Sequence, residues 1–186
     1  MKRLLLIGVL FIGFVVTSLL VIVPRGQAQG PGNEESKIKR GFEIAPVPLD
    51  VAGKNRSLVG LGSYIVNAQG DCNGCHTVDF SPYLPGGDPF AGETEMIDPD
   101  RYLVGGSAFG PFISRNLRPD ADGLPAGYTF EEFQTVLRTG ADLKGLPPAP
   151  LLQVMPWPTF RNMTDRDIRA IYEYLSALPP HAGFPE

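Results

Sequence analysis

Three stretches of the chain repeat apolar positions at helical spacing. In "SLVGLGSYIVNAQG", Leu58, Leu61, Tyr64, Ile65 and Ala68 recur at steps of three and four, and Gly70 closes the run. "FEEFQTVLRT" is announced by Thr129 as N-cap and Glu132 at N3, a capping box, with Tyr128 placed to staple onto Phe133 and Gly140 to end the helix. Thr164 and Asp167 repeat the device, with Met163 facing Ile168. The apolar face Ile168, Ile171, Tyr172, Leu175 then runs until Pro179 and Pro180 stop it. No segment alternates apolar and polar residues as a half-buried strand would, so the pattern predicts an all-α domain of three main helices.

The remainder of the pattern is as informative as the helices. Gly60 and Gly62 lie inside the first helix, each costing about 1 kcal/mol relative to Ala, which predicts the close approach of another helix there. Residues 77–127 and 141–162 are irregular, too much loop for a compact domain unless a ligand substitutes for missing core. A large, flat, apolar cofactor would give those loops something to pack on. Residues 29–54 are polar and rich in Pro and Gly without a sustained apolar period, and read as a flexible tether. "DADG" at Asp120–Gly123 reads as a turn: its Gly stands fourth rather than sixth, and Leu124 and Pro125 fall where a calcium loop needs ligands.

The N-terminus has a different character. Lys2 and Arg3 precede an uncharged apolar run from Leu4 to Val23, followed by "PRGQAQG", in the order of a secretory signal with a cleavage site after Ala28. The run is also long enough to span a bilayer, so residues 1–28 read as signal peptide or membrane anchor, with length favouring the anchor. Either way the chain beyond them lies outside the cytoplasm. Residues 1–28 hold three basic side chains and no acidic one, so the exported part is more acidic than the −4 of the whole chain. A nucleic-acid partner is excluded on that ground. Asp88, Glu93, Glu95, Asp98 and Asp100 concentrate the acidity in one loop, a solvated surface or a field for a basic partner.

Against this background "GDCNGCHTVD" stands out, for it contains both cysteines, Cys72 and Cys75, and one of the two histidines, His76. A redox dithiol belongs at a helix N-terminus within a strand–helix–strand pattern, whereas this pair follows a helix. Zinc would require Cys72, Cys75, His76 and the distant His181, with two of the four adjacent in sequence. A structural disulfide, or chance, stays open beside these. Covalent haem explains the spacing best: two thiols three apart reach the two vinyl groups of one porphyrin edge, and the next imidazole reaches the iron.

With His76 as one axial ligand, the other is sought among Met96, Met155, Met163 and His181. Met96 lies in the acidic loop, Met163 has a staple to form, and His181 follows the last helix in a Pro-flanked tail. Met155 stands in "LLQVMPWPTF", where apolar residues and prolines make a stiff, extended loop able to press its sulfur onto iron. Packing in the core is the alternative role for that side chain.

"GDCNGCHT" together with "MPWPTFRNMTDRDIRAIYEYLSALPP" resembles the class I c-type cytochromes, most of all the single haem modules in cytochrome subunits of membrane-bound bacterial dehydrogenases for alcohols and sugar acids. The resemblance spans roughly residues 57–180. It implies a cytochrome c-like domain over 55–186, one covalently attached haem c on Cys72 and Cys75, His76 and Met155 as axial ligands, and first and last helices that cross through small and aromatic residues. It also implies single-electron transfer on the periplasmic side of the bacterial inner membrane, with a dehydrogenase, oxidase or quinol-oxidising complex as redox partner and residues 4–23 as membrane attachment. Trp157, Ser114, Arg115 and Asn116 are candidate neighbours of the haem propionates. Those dehydrogenase subunits usually carry three modules, whereas this chain carries one. The rival reading is a haem enzyme or gas sensor with an open iron site.

Overall fold

The computed structural model of the chain describes residues 31–145 and 150–183, so the apolar run at 4–23 lies outside the described residues. Within them, helix α1 (Pro31–Ile44) is followed by α2 (Arg56–Tyr64), which continues into a single wider, π-type turn (Ile65–Gln69). A one-turn helix α3 (Cys72–Cys75) comes next, then a hairpin of β1 (Ala108–Phe109) and β2 (Phe112–Ile113), then α4 (Phe130–Thr139), the short α5 (Trp157–Phe160) and α6 (Asp165–Ser176). Among the described residues no helix is long and apolar enough to cross a membrane.

The capping chemistry places the helices as the sequence predicts. Thr129 and Glu132 exchange side-chain and backbone hydrogen bonds at the start of α4, Thr164 and Asp167 do the same for α6, and Gly140 ends α4 with φ 72°. The pair expected to staple α4, Tyr128 and Phe133, is buried. Asn55 caps α2 by accepting from the backbone N–H groups of Ser57 and Leu58.

Two expectations are corrected. The segment 29–54 is not a flexible tether over its described part: residues 31–44 form α1, which packs on α2. Periodicity does not betray this helix because its contact is made of backbone. Gly41 faces Gly60 so closely that a Cβ on Gly41 would stand 2.9 Å from Tyr64 N, and one on Gly60 would stand 2.7 Å from Ile38 O. Only Ile38 and Phe42 add apolar weight beside that crossing. An ion pair from Glu34 to Arg166 ties α1 to α6. The second correction is that the domain is mostly helical rather than all-α, since β1 and β2 form a small antiparallel sheet pairing Ala108 with Ile113 and Phe109 with Phe112. A fourth long helix is also present besides the three expected.

The close approach foreseen for Gly60 and Gly62 thus has two partners. Gly62 meets α6, where an added Cβ would lie 2.7 Å from Tyr174 Cβ, while Gly60 meets α1. Held between two helices, α2 and the π-type turn after it bury Val59, Leu61, Ser63, Ile65 and Val66, nearly the whole circumference, rather than the single face read from Leu58, Leu61, Tyr64, Ile65 and Ala68. Truncating Phe42 to Ala is therefore expected to lower stability by about 2 kcal/mol, read as a fall in the denaturation midpoint; a solvated tether would give no change.

A buried polar network crosses this core. The Tyr102 hydroxyl donates to Asn67 Oδ1 at 2.6 Å and lies 2.7 Å from the Tyr174 hydroxyl. Asn67 Nδ2 donates to Ser63 O at 3.0 Å, and Ser63 Oγ donates to Gly41 O at 2.7 Å. Every buried side-chain nitrogen and oxygen among the described residues has a partner, so the network costs no orphaned group. The long loops are held by arginines that donate to backbone carbonyls. Arg118, buried, reaches Pro179 O at 2.8 Å and Pro99 O at 2.9 Å, and Arg101 reaches Ser81 O and Val78 O, both at 2.7 Å. "DADG" is the expected turn, closed by Asp120 Oδ1 accepting from the N–H groups of Asp122 and Leu124.

Candidate functional site

The π-type turn delivers the chain into the cysteine motif. Asp71 turns the backbone with φ 45° and ψ 41°, and α3 closes with His76 N–H donating to Cys72 O at 2.9 Å. One helical turn puts residues three apart on a common face, so Cys72 and Cys75 share theirs. The second residue between them is a glycine for a local reason. The Asp71 carboxylate folds over Gly74, and a Cβ there would meet its oxygens at 2.7 and 2.8 Å.

Neither cysteine is in a disulfide. Burial, with Asp71 and Cys75 adjacent, pushes the Cys72 thiol up to about 12. A thiolate is therefore disfavoured there, against a reactive dithiol, whereas an uncharged thioether suits the position. Among the described residues no group of three or more His, Cys, Asp and Glu side chains is placed to hold a metal ion, so Cys72, Cys75, His76 and His181 are not assembled as one site.

His76 is oriented by the loop that follows the hairpin. Its Nδ1 lies 2.7 Å from Arg115 O, a carbonyl that can only accept, which assigns the ring proton to Nδ1 and leaves Nε2 as a lone-pair donor. Burial lowers the imidazole's affinity for a second proton, which preserves that donor. The residues around His76 are knitted to the segment 101–107. Leu103 N–H donates to the buried Asn73 Oδ1 at 3.1 Å, Gly105 N–H to His76 O at 3.1 Å, Thr77 Oγ1 to Arg101 O at 3.0 Å, and Ser107 Oγ to Thr77 O at 2.6 Å. Asn73, Thr77 and Ser107 were not legible as site residues. Their only signal is the polar type at positions that turn out buried.

The four candidates for the second axial position fare differently. Met96 is 42% exposed in the acidic loop, where its N–H donates to Gly87 O. Met163 is partly buried against the core, and its carbonyl accepts from Arg138 at 2.6 Å. His181 has its Nδ1 accepting from the Gly183 N–H at 2.9 Å and its carbonyl accepting from Asn116 Nδ2 at 2.8 Å. Met155 is partly buried in a braced loop. Trp157 N–H donates to Met155 O at 2.8 Å, and the indole N–H turns back to Leu152 O at 3.2 Å. That indole lies against Gly140, where any Cβ would clash with the ring, so Met155 is anchored to the end of α4.

Of the suggested propionate neighbours, Ser114 and Asn116 spend hydrogen bonds on the fold: Ser114 Oγ accepts from Ser107 N–H, and Asn116 Oδ1 accepts from Arg118 N–H. Arg115 instead forms a two-pronged ion pair with Asp142, at 2.6 and 2.9 Å. The residues present fit a haem. A same-face cysteine pair precedes a histidine of fixed tautomer, and Phe112, Ile113, Leu143, Leu151 and Val154, on the segments leading to Arg115 and Met155, expose apolar side chains.

No protein-family model matches the chain, and no solved structure does. Curated relatives do. The gluconate 2-dehydrogenase cytochrome c subunit of Pantoea cypripedii is 33% identical over 120 residues, covering 64% of this chain and 23% of the relative. The cytochrome c subunit of the quinone alcohol dehydrogenase of Gluconobacter oxydans is 32% identical over 148 residues, 75% of this chain and 27% of the relative. The fructose dehydrogenase cytochrome subunit of Gluconobacter japonicus is 29% identical over 137 residues, 73% of this chain and 24% of the relative. The chain spans about a quarter of the length of these relatives. In sequence as in site chemistry, it resembles part of the cytochrome subunits of bacterial dehydrogenases.

Proposed function

We propose that the protein is a monohaem c-type cytochrome that carries single electrons outside the cytoplasm between a dehydrogenase and a further acceptor. The observation that supports this reading is the His76 Nδ1 to Arg115 O contact of 2.7 Å immediately after the paired cysteines, which keeps a lone pair on Nε2 for a metal. The names of these three relatives, each a cytochrome subunit of a dehydrogenase, support the partner class. A haem bound here supplies a reversible one-electron couple.

The side chains do the rest. Cys72 and Cys75 would fasten the group as thioethers, and His76 and Met155 would be the side chains that hold its iron. A Met155 thioether on the iron would favour the less charged ferrous state and raise the reduction potential. Cys75 is exposed while Cys72 is half-buried, so a redox partner would approach from the Cys75 side.

Spectra of the purified, haem-loaded protein test the proposal. The haem is expected to stay with the polypeptide after denaturation and acid–organic extraction, and the oxidised form to show the near-infrared methionine–iron band. Extraction of the pigment into the solvent would overturn the attachment. Tight carbon monoxide binding by the reduced form, without that band, would replace the carrier with an open-site haem protein. Replacing both Cys72 and Cys75 by Ser is expected to abolish covalently bound pigment.

A further inference from the structure

The Arg115–Asp142 pair joins the two sides of the site. Arg115 contributes its carbonyl to His76, while its guanidinium grips Asp142 through both carboxylate oxygens, at 2.6 and 2.9 Å, and reaches the Tyr128 hydroxyl at 3.4 Å. Asp142 opens the segment that leads to Met155. Its own N–H donates to Pro150 O at 2.8 Å, and Ala141 bridges Leu151. Its carboxylate also accepts from Lys144 N–H at 3.2 Å, and the Asp142 side chain is only 15% exposed. An ion pair of this geometry fixes direction as well as charge, because both N–H groups of the guanidinium fork must align with the carboxylate.

We propose that Asp142 is a positioning residue for the iron site: through the Arg115 guanidinium it holds the carbonyl that receives the His76 ring proton, and through its backbone it pins the segment carrying Met155. The inference rests on the haem reading given above. Two consequences follow when the carboxylate is neutralised, and they act in the same direction. A looser acceptor weakens the Nδ1–H bond and makes His76 a poorer donor to ferric iron. A guanidinium that has lost the Asp142 charge favours the less charged ferrous form beside it.

The experiment compares the haem-loaded wild-type protein with Asp142→Asn, Asp142→Glu and the double variant Arg115→Gln/Asp142→Asn. Asp142→Asn is expected to shift the ferrous-to-ferric ratio at fixed ambient potential about tenfold toward ferrous, which is 59 mV for a one-electron couple. In the reduced protein its His76 ring N–H is expected to exchange with solvent at least tenfold faster by NMR. Asp142→Glu is expected to recover most of both effects. The double variant is expected to recover the charge-driven part of the potential shift but neither its remainder nor the slow exchange, which separates charge from positioning. An unchanged potential and exchange rate in a folded, haem-bearing Asp142→Asn would overturn the proposal. Should Asp142→Asn fail to fold, wild-type exchange in the folded double variant overturns it instead. Absence of covalent haem from the wild-type protein would remove the haem reading itself, an outcome distinct from either.

Discussion

Replacing Met155 by Ala is expected to leave haem attached to the chain while abolishing the near-infrared sulfur–iron band, converting the oxidised form toward high spin and opening the reduced form to carbon monoxide. Cys72, Cys75 and His76 sit in and beside α3, and their supports come from residues 101–115, none of which depends on the 155 side chain. The reduction potential is expected to fall, because a thioether favours ferrous iron. The comparison that gives the result its force is Met163→Ala. That side chain is partly buried between α5 and α6, so its loss is expected to cost about 2 to 3 kcal/mol of stability with the spectrum unchanged. Met96→Ala and His181→Ala are expected to alter neither. A wild-type spectrum in Met155→Ala, or a lost band in any of the other three, assigns the sulfur or nitrogen elsewhere.

The elements that announce themselves through local chemistry were legible in the sequence. α4 and α6 carry their start signals as Thr129 with Glu132 and Thr164 with Asp167, and such caps need nothing from the rest of the fold. The cysteine motif is likewise local, since one helical turn is enough to bring two sulfurs to one face. What stayed hidden depends on contacts between distant segments. Helix α1 shows only Ile38 and Phe42 as apolar contributions because its seam is Gly41 against Gly60, a contact between backbones that leaves no hydrophobic period. The glycines in α2 did signal a crossing, but a glycine does not say which helix approaches it, and two do.

The site divides in the same manner. Ligand candidates are chosen by element and so are visible as residue types: a sulfur, an imidazole. Their supports are chosen by geometry. Arg115 acts on His76 through its carbonyl, which every residue possesses, and Asn73, Thr77 and Ser107 are ordinary polar residues until the fold buries them. Asp142 lies 27 residues from Arg115. Only the return of the 141–145 segment to the Arg115 loop makes that separation a contact. The same reasoning explains how so much irregular chain becomes ordered. Backbone carbonyls of 78, 81, 99 and 179 are claimed by Arg101 and Arg118, which supply fixed donors where regular structure would otherwise do so.

A large stability effect is expected at Gly62, where even Ala is too large. A Cβ at this position would stand 2.7 Å from Tyr174 Cβ and closer still to the carbonyl carbon and oxygen of Ala170. The obstruction is backbone of α6, which cannot rotate aside as a side chain does, so α2 and α6 must separate. Separation loosens the packing around Val59, Val66, Ile168 and Ile171, all buried, and stretches the hydrogen bonds through which Ser63, Asn67, Tyr102 and Tyr174 hold one another. Overpacking of a close-fitted core usually costs about 1 to 3 kcal/mol. Loss of good geometry in a buried network adds about 1 to 3 kcal/mol for a group left unsatisfied. Gly62→Ala is therefore expected to lose about 4 kcal/mol in denaturant titration, a large share of the stability of a small domain. Gly53→Ala, where no atom lies within 4 Å of the added Cβ although φ is 69°, isolates the cost of left-handed backbone alone and is expected to lose only about 1 kcal/mol. Near-equal losses at the two positions would mean that α2 and α6 do not meet as closely as the crossing requires. The path from residues 57–70 to the His76 site would then need another support.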